Sequence, residues 1–301
     1  MIDSALAGKS ILVTGGSGFI GTHLIRRLQS LGADILNISI EAPQVPVSTI
    51  EDDLRTTDFS WLDEGFDYVV HLAALSHKAF CPDLQDAFDT NVGGTLRLLD
   101  ALSTRTRITK IVHTSSIVLY SDKAQSPIDE DAPIDVMGDH YTFTKGLAEQ
   151  VVRYFQKTLP ITILRLSNAY GPYQHPSRYP HLLAQTIHSA LTQGTITIQN
   201  PTPIRDFIFV DDIIDAIVAA LLSDKKGICN IGTGVGTSIG EIGDQIAMLT
   251  GATIQKLDKP TWGPTKIICD VSAAKKDLQW IAKTPLIDGL KQTIAWNKEH
   301  A

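Results

Sequence analysis

Cysteine is scarce in this chain: three residues in 301, Cys81, Cys229 and Cys269. An odd and widely spaced set offers neither a disulfide framework nor a CxxC metal pattern. No metal is therefore expected, and a reducing cytoplasm is the expected compartment. Long apolar runs are missing too. No stretch approaches the ~18 uninterrupted apolar residues that span a bilayer, and the opening MIDSALAGKS lacks the apolar core of a signal peptide, so no membrane association is expected. Positive charge is in deficit, with 26 Lys and Arg against 33 Asp and Glu and a net charge of -7. That balance opposes binding to a phosphate backbone and argues against nucleic acid as a partner. It leaves room for one small anionic ligand, because a pocket's field depends on the charges that line it. Internal repeats and low-complexity tracts are likewise absent.

What remains is an ordinary globular composition, 43% hydrophobic and 20% charged, in a chain long enough for two lobes. Short apolar runs at 10–14, 35–40, 68–72, 111–114 and 161–166 alternate with helical periodicity at 19–31, 92–102 and 141–157. Such alternation predicts an α/β fold, a doubly wound parallel sheet covered by helices on both faces. After Leu166 comes NAYGPYQHPSRYPH, whose Pro, Tyr and His content suits a shaped loop and marks the start of a second lobe. Asp211 and Asp212 precede a helical repeat of Ile213, Ile214, Ile217, Val218, Leu221 and Leu222, where carboxylates suit a helix N-terminus. That helix is expected to return to the first lobe, and helices at 272–280 and 286–297 close the chain. The predicted division gives residues 1–166 plus about 206–234 to the larger lobe. About 167–205 plus 235–301 form a smaller, discontinuous α/β lobe.

Gly15, Gly18 and Gly21 form a GxxGxxG turn between the first strand and the first helix. Without Cβ atoms the backbone amides can approach a pyrophosphate, and the helix N-terminus adds partial positive charge. Closing a tight corner is the bland alternative, but the position at the first strand-helix junction favours a Rossmann-type dinucleotide site. At the end of the second strand an acidic residue would select NAD and a basic one NADP. Ser39 stands there, with Glu41 two residues on and no Lys or Arg before Arg55. The missing cation favours NAD, while Ser39 leaves NADP compatible.

Tyr141 and Lys145 are four apart on a predicted helix, which puts both side chains on one face. A phenol with an ordinary pKa near ~10 is a poor base, and a neighbouring ammonium and an oxidised nicotinamide would both favour its phenolate. On its own, YxxxK is more often a surface lysine beside a packed ring. Downstream of a nucleotide-binding turn, and after a strand IVHTSS that ends in Ser115 and Ser116, the pair gains a chemical reading. Tyr141 can exchange a proton with a substrate hydroxyl or carbonyl while Ser116 supplies a second hydrogen bond.

TGGSGFIG at 14–21, HLAA at 71–74, NVGGT at 91–95 and the pair Tyr141 and Lys145 resemble, in order and spacing, the extended short-chain dehydrogenase/reductase family. These are NAD(P)-dependent sugar-nucleotide epimerases, dehydratases and reductases, and the resemblance spans nearly the whole chain. It implies that Gly15, Gly18, Phe19, Ile20 and Gly21 cradle the cofactor, with Ser39 at its ribose and Asp53 and Leu54 beside its adenine. Leu72, Ala73 and Ala74 would line the ribose and pyrophosphate, and Asn91 joins the cofactor residues. Ser116, Tyr141 and Lys145 would be the catalytic set, the latter two also touching cofactor.

For the substrate, a nucleotide sugar, the resemblance implies Ser76, Ser116, Asn168, Arg205 and Lys259. Asn168 lies in LRLSNAYGP, similar to an R-x-x-N-x-Y-G-P segment, and Arg205 in RDFIFVDD, similar to R-D-[FY]-x-x-V-x-D. A forked guanidinium suits a diphosphate, although a salt bridge to Asp206 would also occupy it. His175, Arg178, His181 and Trp262 are further candidates for the sugar end, with surface or packing roles as alternatives. A homodimer through the helices around 92–102 and 141–157 is also implied.

Dehydratases of that family carry an Asp-Glu pair just after the catalytic hydroxyl residue, whereas this chain has Ile117 and Val118. Apolar side chains transfer no protons, which argues against elimination and against the related decarboxylases. The expected reaction is therefore epimerisation through a transient 4-keto sugar with Tyr141 as acid and base. Reduction of a 4-keto-6-deoxy sugar nucleotide is the alternative, and a catalytically silent cofactor-binding scaffold or regulator is the alternative of another class. Ser39 in place of an Asp, Ser76 where some hexose epimerases have lysine, and Lys259 in place of an arginine point to an atypical substrate.

Overall fold

The computed structural model describes residues 5–62, 65–104, 108–174, 176, 181–260 and 263–300. Strands β1 (Ser10–Thr14), β2 (Asp34–Ser39), β3 (Ser48–Glu51), β4 (Tyr68–His71), β5 (Lys110–Ser116) and β6 (Ile161–Leu166) alternate with helices α1 (Phe19–Ser30), α2 (Leu84–Phe88), α3 (Gly94–Ser103) and α4 (His140–Phe155). Then follow β7 (Asn168–Tyr170), α5 (Leu182–Gln193), β8 (Thr195–Ile198), β9 (Ile204–Phe209), α6 (Val210–Leu221) and β10 (Gly227–Ile231). The last elements are β11 (Gly236–Ser238), α7 (Ile239–Thr250), β12 (Thr253–Lys256), β13 (Lys266–Ile267), α8 (Ser272–Asp277) and α9 (Leu286–Glu299).

Seven strands form one sheet in the order β10-β6-β5-β4-β1-β2-β3, with every neighbouring pair parallel. This is the Rossmann-type doubly wound sheet expected from the alternating pattern, and its chain order switches direction between β1 and β4. Alternation of side chains explains why its strands read as unbroken apolar runs. Ile11 and Val13 pack against Leu24 and Leu28 of α1 and Ile213 and Ile217 of α6. Leu12, between them, packs against Leu98 and Leu102 of α3 and Val152 of α4. Both faces are thus covered.

The smaller lobe is built on β9, which pairs with β7 and β13 in parallel and with β11 in antiparallel fashion. A separate parallel pair, β8 with β12, packs with α5, α7 and α9 around Ile187, Ile196, Ile242 and Leu290. The chain crosses back into the large sheet's layers after Phe209, through α6 and β10. Among the described residues no helix is long and apolar enough to cross a membrane.

Asp211 and Asp212 stand in the first turn of α6, as expected for carboxylates at a helix N-terminus, and each also has a tertiary partner. Asp212 is buried and accepts from the backbone N–H of Lys283 and Thr284 at 2.9 and 3.0 Å, while Asp211 meets His23 at 3.0 Å. Each ties α6 to another element. Several strands left no periodic signal: β3, β7, β11 and β13 span four residues or fewer, and β12 is mostly exposed. The helix expected over 272–280 ends at Asp277.

One buried ion pair fastens α4 to the sheet. Glu149 and Arg165 are almost wholly inaccessible. Glu149 Oε1 accepts from Arg165 Nη2 at 2.6 Å, and Oε2 accepts from Arg165 Nε at 3.0 Å and from Ser115 Oγ at 2.6 Å. The Arg165 guanidinium also lies 4.8 Å from the Tyr120 ring centroid. Removing one partner would strand a buried charge. Glu149→Ala is therefore expected to cost about 3–5 kcal/mol of folding stability, read as a lowered urea midpoint. Lys256→Ala, which breaks the exposed pair with Asp244, is expected to cost under about 1 kcal/mol.

Candidate active site

A cavity of about 890 Å³ lies at the carboxyl ends of β1, β2, β4 and β5, lined by the Gly15, Ser39, Leu72 and Ser116 that end or follow those strands. This is where open α/β sheets bind their ligands. Gly15, Gly18, Phe19, Ile20 and Gly21 form one wall. Gly15 has a φ of +74°, and a Cβ there would stand 2.8 Å from the Ala73 backbone. A Cβ on Gly21 would stand 2.4 Å from the Gly15 carbonyl oxygen. Glycine is thus required both by backbone shape and by the close approach of turn, helix and neighbouring strand. No side chain caps α1 and no acidic residue sits in its first turn, so its N-terminal amides suit an anion such as a pyrophosphate. The cradle fits a dinucleotide.

Behind the cavity a chain of buried hydrogen bonds joins the HLAA and NVGGT segments. Thr95 Oγ1 donates to the Asn91 carbonyl at 2.6 Å and so accepts from His71 Nε2 at 2.9 Å. His71 Nδ1 then accepts from Thr14 Oγ1 at 2.7 Å, and Thr14 Oγ1 accepts from Ala73 N at 3.2 Å. Burial, reinforced by the Lys145 charge, pushes His71 down to about 3 and keeps the ring neutral, as this pattern requires. Asn91 closes the system: its Oδ1 accepts from Leu75 N at 2.8 Å, and its Nδ2 donates to Thr144 of α4 at 3.0 Å. It lies in a π-helical turn, Asp89–Gly93, just before α3.

Ser116, Tyr141 and Lys145 come together in the cavity. Asp139 starts α4 by accepting from Thr142 N at 2.9 Å, which sets the first turn carrying Tyr141. Ser116 Oγ accepts from Val118 N at 3.3 Å, leaving its O–H to donate. Burial pushes the Tyr141 phenol up to about 12, partly offset by the Ser116 hydroxyl and reinforced by Cys81 and Asp139. Burial lowers Lys145 to about 8, with Glu149 one turn on opposing the shift. With burial the dominant influence, the site as it stands holds a neutral phenol. Forming the phenolate requires more positive charge in the cavity.

At the other end the lining includes Ser39, Glu41, Asp52, Asp53 and Leu54, and among the described residues no Lys or Arg stands with them. Arg55, the nearest cation in sequence, is engaged by Asp53 at 2.6 Å and by Asp86. Leu72, Ala73, Ala74, Ser76 and Asn168 also line the cavity. Three predicted residues do not. Asn91 spends its side chain on Leu75 and Thr144 and acts on the lining from behind. Arg205 is half-buried beyond the lining, on the same side of β9 as Phe207, which does line it. Arg205 donates to the Ile204 carbonyl, and Asp206 instead accepts from Thr233, Gly234 and Cys269, so the alternative salt bridge does not form. Lys259 is exposed and bonds through its backbone to Gln199 and Asn200.

Of the residues proposed for the sugar end, His181 lines the cavity, 4.7 Å between ring centroids from His77. His175, Arg178 and Trp262 lie outside the described residues. Lining residues that the motifs did not announce include His77, Phe80, Gln174 and Phe207. Only Gln174, in the loop rich in Pro, Tyr and His, carried a compositional signal; the others face the cavity because of tertiary packing. Among the described residues no group of His, Cys, Asp and Glu is arranged to hold a metal.

The sequence profile of the NAD dependent epimerase/dehydratase family matches residues 11–232. The chain is 28% identical to a UDP-glucose 4-epimerase of Lactobacillus helveticus, over 96% of this chain and 97% of that protein. It is 27% identical to a dTDP-D-glucose 4,6-dehydratase of Bos taurus, over 97% and 91%. Among solved structures, the UDP-glucuronic acid 4-epimerase of Bacillus cereus in complex with UDP-glucuronic acid and NAD superimposes with a TM-score of 0.86 at 29% identity, covering 97% of this chain and all of that one.

A lysine held below its ordinary 10.5 destabilises the fold wherever the unfolded chain binds the extra proton. The penalty is complete below about 8, shrinks as pH rises, and is gone above 10.5. Lys145→Met is accordingly expected to stabilise the cofactor-free protein at neutral pH, by on the order of 1–3 kcal/mol. Melting curves should show the gain fading between pH 8 and 10.5. A variant less stable than wild type at pH 7 would contradict the assignment.

Proposed function

Because the chain belongs to the NAD dependent epimerase/dehydratase family, we propose that it is an NAD-dependent nucleotide-sugar 4-epimerase in which Tyr141 is the acid and base. The observation that carries this reading is the meeting of Ser116, Tyr141 and Lys145 in the same cavity as the glycine cradle. Gly15, Gly18 and Gly21 with the start of α1 would hold the pyrophosphate, and Leu72, Ala73 and Ala74 the adjoining face. Glu41, Asp52 and Asp53 at the far end suit the ribose hydroxyls of NAD and would repel the 2'-phosphate of NADP.

Bound NAD supplies a hydride acceptor and a positively charged ring. That added charge is what the neutral Tyr141 phenol needs to become a base. Tyr141 then takes the proton of the sugar 4-hydroxyl, Ser116 hydrogen-bonds the same oxygen, and Lys145 stabilises the phenolate. The C4 hydride would leave with that proton, for the bound cofactor to take up, giving a 4-keto sugar; after the sugar turns over, return of the same hydride to its other face, with Tyr141 giving back the proton, would rebuild the centre with the opposite configuration. Ile117 is buried and Val118 lines the cavity, so neither serves the acid-base chemistry of elimination. Asp139, also in the lining, is committed to capping α4.

The larger lobe, 1–166 plus about 206–234, is read as the cofactor domain, and about 167–205 plus 235–301 as the substrate domain. A homodimer through α3 and α4 is part of this reading, carried by the family resemblance. Three free, buried cysteines suit a reducing cytoplasm.

Incubation with a panel of UDP- and dTDP-sugars, following products and nicotinamide absorbance together, tests the reaction. An epimerase interconverts sugars with no net change in cofactor, a ketoreductase oxidises reduced cofactor in step with product, and a scaffold does neither. Tyr141→Phe is expected to lower turnover by at least about 100-fold while keeping bound NAD; full activity in this variant would end the assignment.

A further inference from the structure

Tyr173 has a φ of +65°, a backbone state that a bulky side chain reaches only under strain. Its surroundings hold it there. Arg26 Nη1 donates to the Tyr173 hydroxyl at 2.9 Å, and the ring lies 5.4 Å from His23 and 5.1 Å from Trp296, centroid to centroid. The preceding carbonyl, of Pro172, accepts from His23 Nε2 at 3.0 Å, and His23 Nδ1 meets Asp211 at 3.0 Å. One residue is thereby clasped by α1, by α9, and through His23 by α6.

The clasped segment leads straight into the cavity. Asn168, Ala169 and Gln174 line it, whereas Tyr173 does not. Gln174 is 2% exposed and donates to the Ala169 carbonyl at 3.1 Å, and Asn168 donates to the Asp206 carbonyl at 2.9 Å. Each amide keeps its side-chain oxygen as an acceptor for a ligand hydroxyl. Pairing of β7 with β9 anchors this wall at Asn168, and the Tyr173 clasp anchors it at the other end.

We propose that Tyr173 is a positioning residue for the sugar part of the substrate: clasped between α1 and α9, it fixes where Asn168 and Gln174 meet that sugar. The inference rests on the nucleotide-sugar reading of the cavity. A wall fixed beforehand loses little freedom on binding, so loosening it weakens substrate without touching the glycine cradle.

Tyr173→Gly tests this, because glycine adopts the positive φ without strain and the variant should fold. Calorimetric Kd and steady-state KM for a UDP-sugar are expected to rise about tenfold, with NAD content and kcat within about twofold. Trp296→Ala should move the same quantities in the same direction, and Tyr173→Phe, which keeps the ring, should recover most of the affinity. A lowered melting temperature with unchanged Kd and KM would reduce Tyr173 to a packing residue and overturn the proposal. If wild type binds nucleotide sugars but converts none, the epimerase reading falls while the Kd comparison still decides this one. If wild type binds none, both fall.

Discussion

Burying the Lys145 ammonium at the carboxyl edge of the sheet is the constraint around which the site is arranged. A charge removed from water is costly unless its surroundings offset the loss. Here Glu149 follows one turn later on the same helix and opposes the loss of the proton, while His71 and His113 nearby are held neutral by burial and by the lysine itself. Glu149 is in turn clasped by Arg165 and Ser115. The stability given up at Lys145 and the stability supplied by the Glu149 and Arg165 pair therefore belong to one arrangement, spanning α4, β5 and β6.

The second arrangement shapes the cradle. Thr14, His71, Thr95, Asn91 and Thr144 link the ends of β1 and β4 to α3 and α4 through buried hydrogen bonds. With every donor and acceptor accounted for, the Leu72–Leu75 backbone has little freedom, and Gly15 can approach Ala73 closely. Asn91 therefore holds the cavity lining from behind without facing the cavity. The resemblance placed it among the cofactor residues; in the structure its side chain is spent on Leu75 and Thr144.

The cavity is complete only because two lobes contribute to its lining. Rossmann elements supply Ser116, Tyr141 and Lys145, and the segment from Asn168 to Gln174 supplies the opposite side. Contacts from α1 to Tyr173 and from His23 to the Pro172 carbonyl cross between these parts. Position of the Asn168–Gln174 side is thus referred to the same helix whose N-terminus faces the glycine turn.

By itself the sequence determined the doubly wound sheet, since continuous apolar strands alternating with amphipathic helices have few other ways to be buried. It also determined the glycine turn, and the shared face of Tyr141 and Lys145, which follows from helical spacing alone. Tertiary structure alone decided the rest. Arg205 and Lys259 lie outside the described lining, and His77, Phe80 and Phe207 lie in it. No local periodicity encodes which side of a short strand or loop meets a cavity built from distant segments. Protonation, too, was decided there: helical spacing puts Tyr141 and Lys145 on one face, while burial, a property of the whole packed site, pushes Tyr141 to about 12.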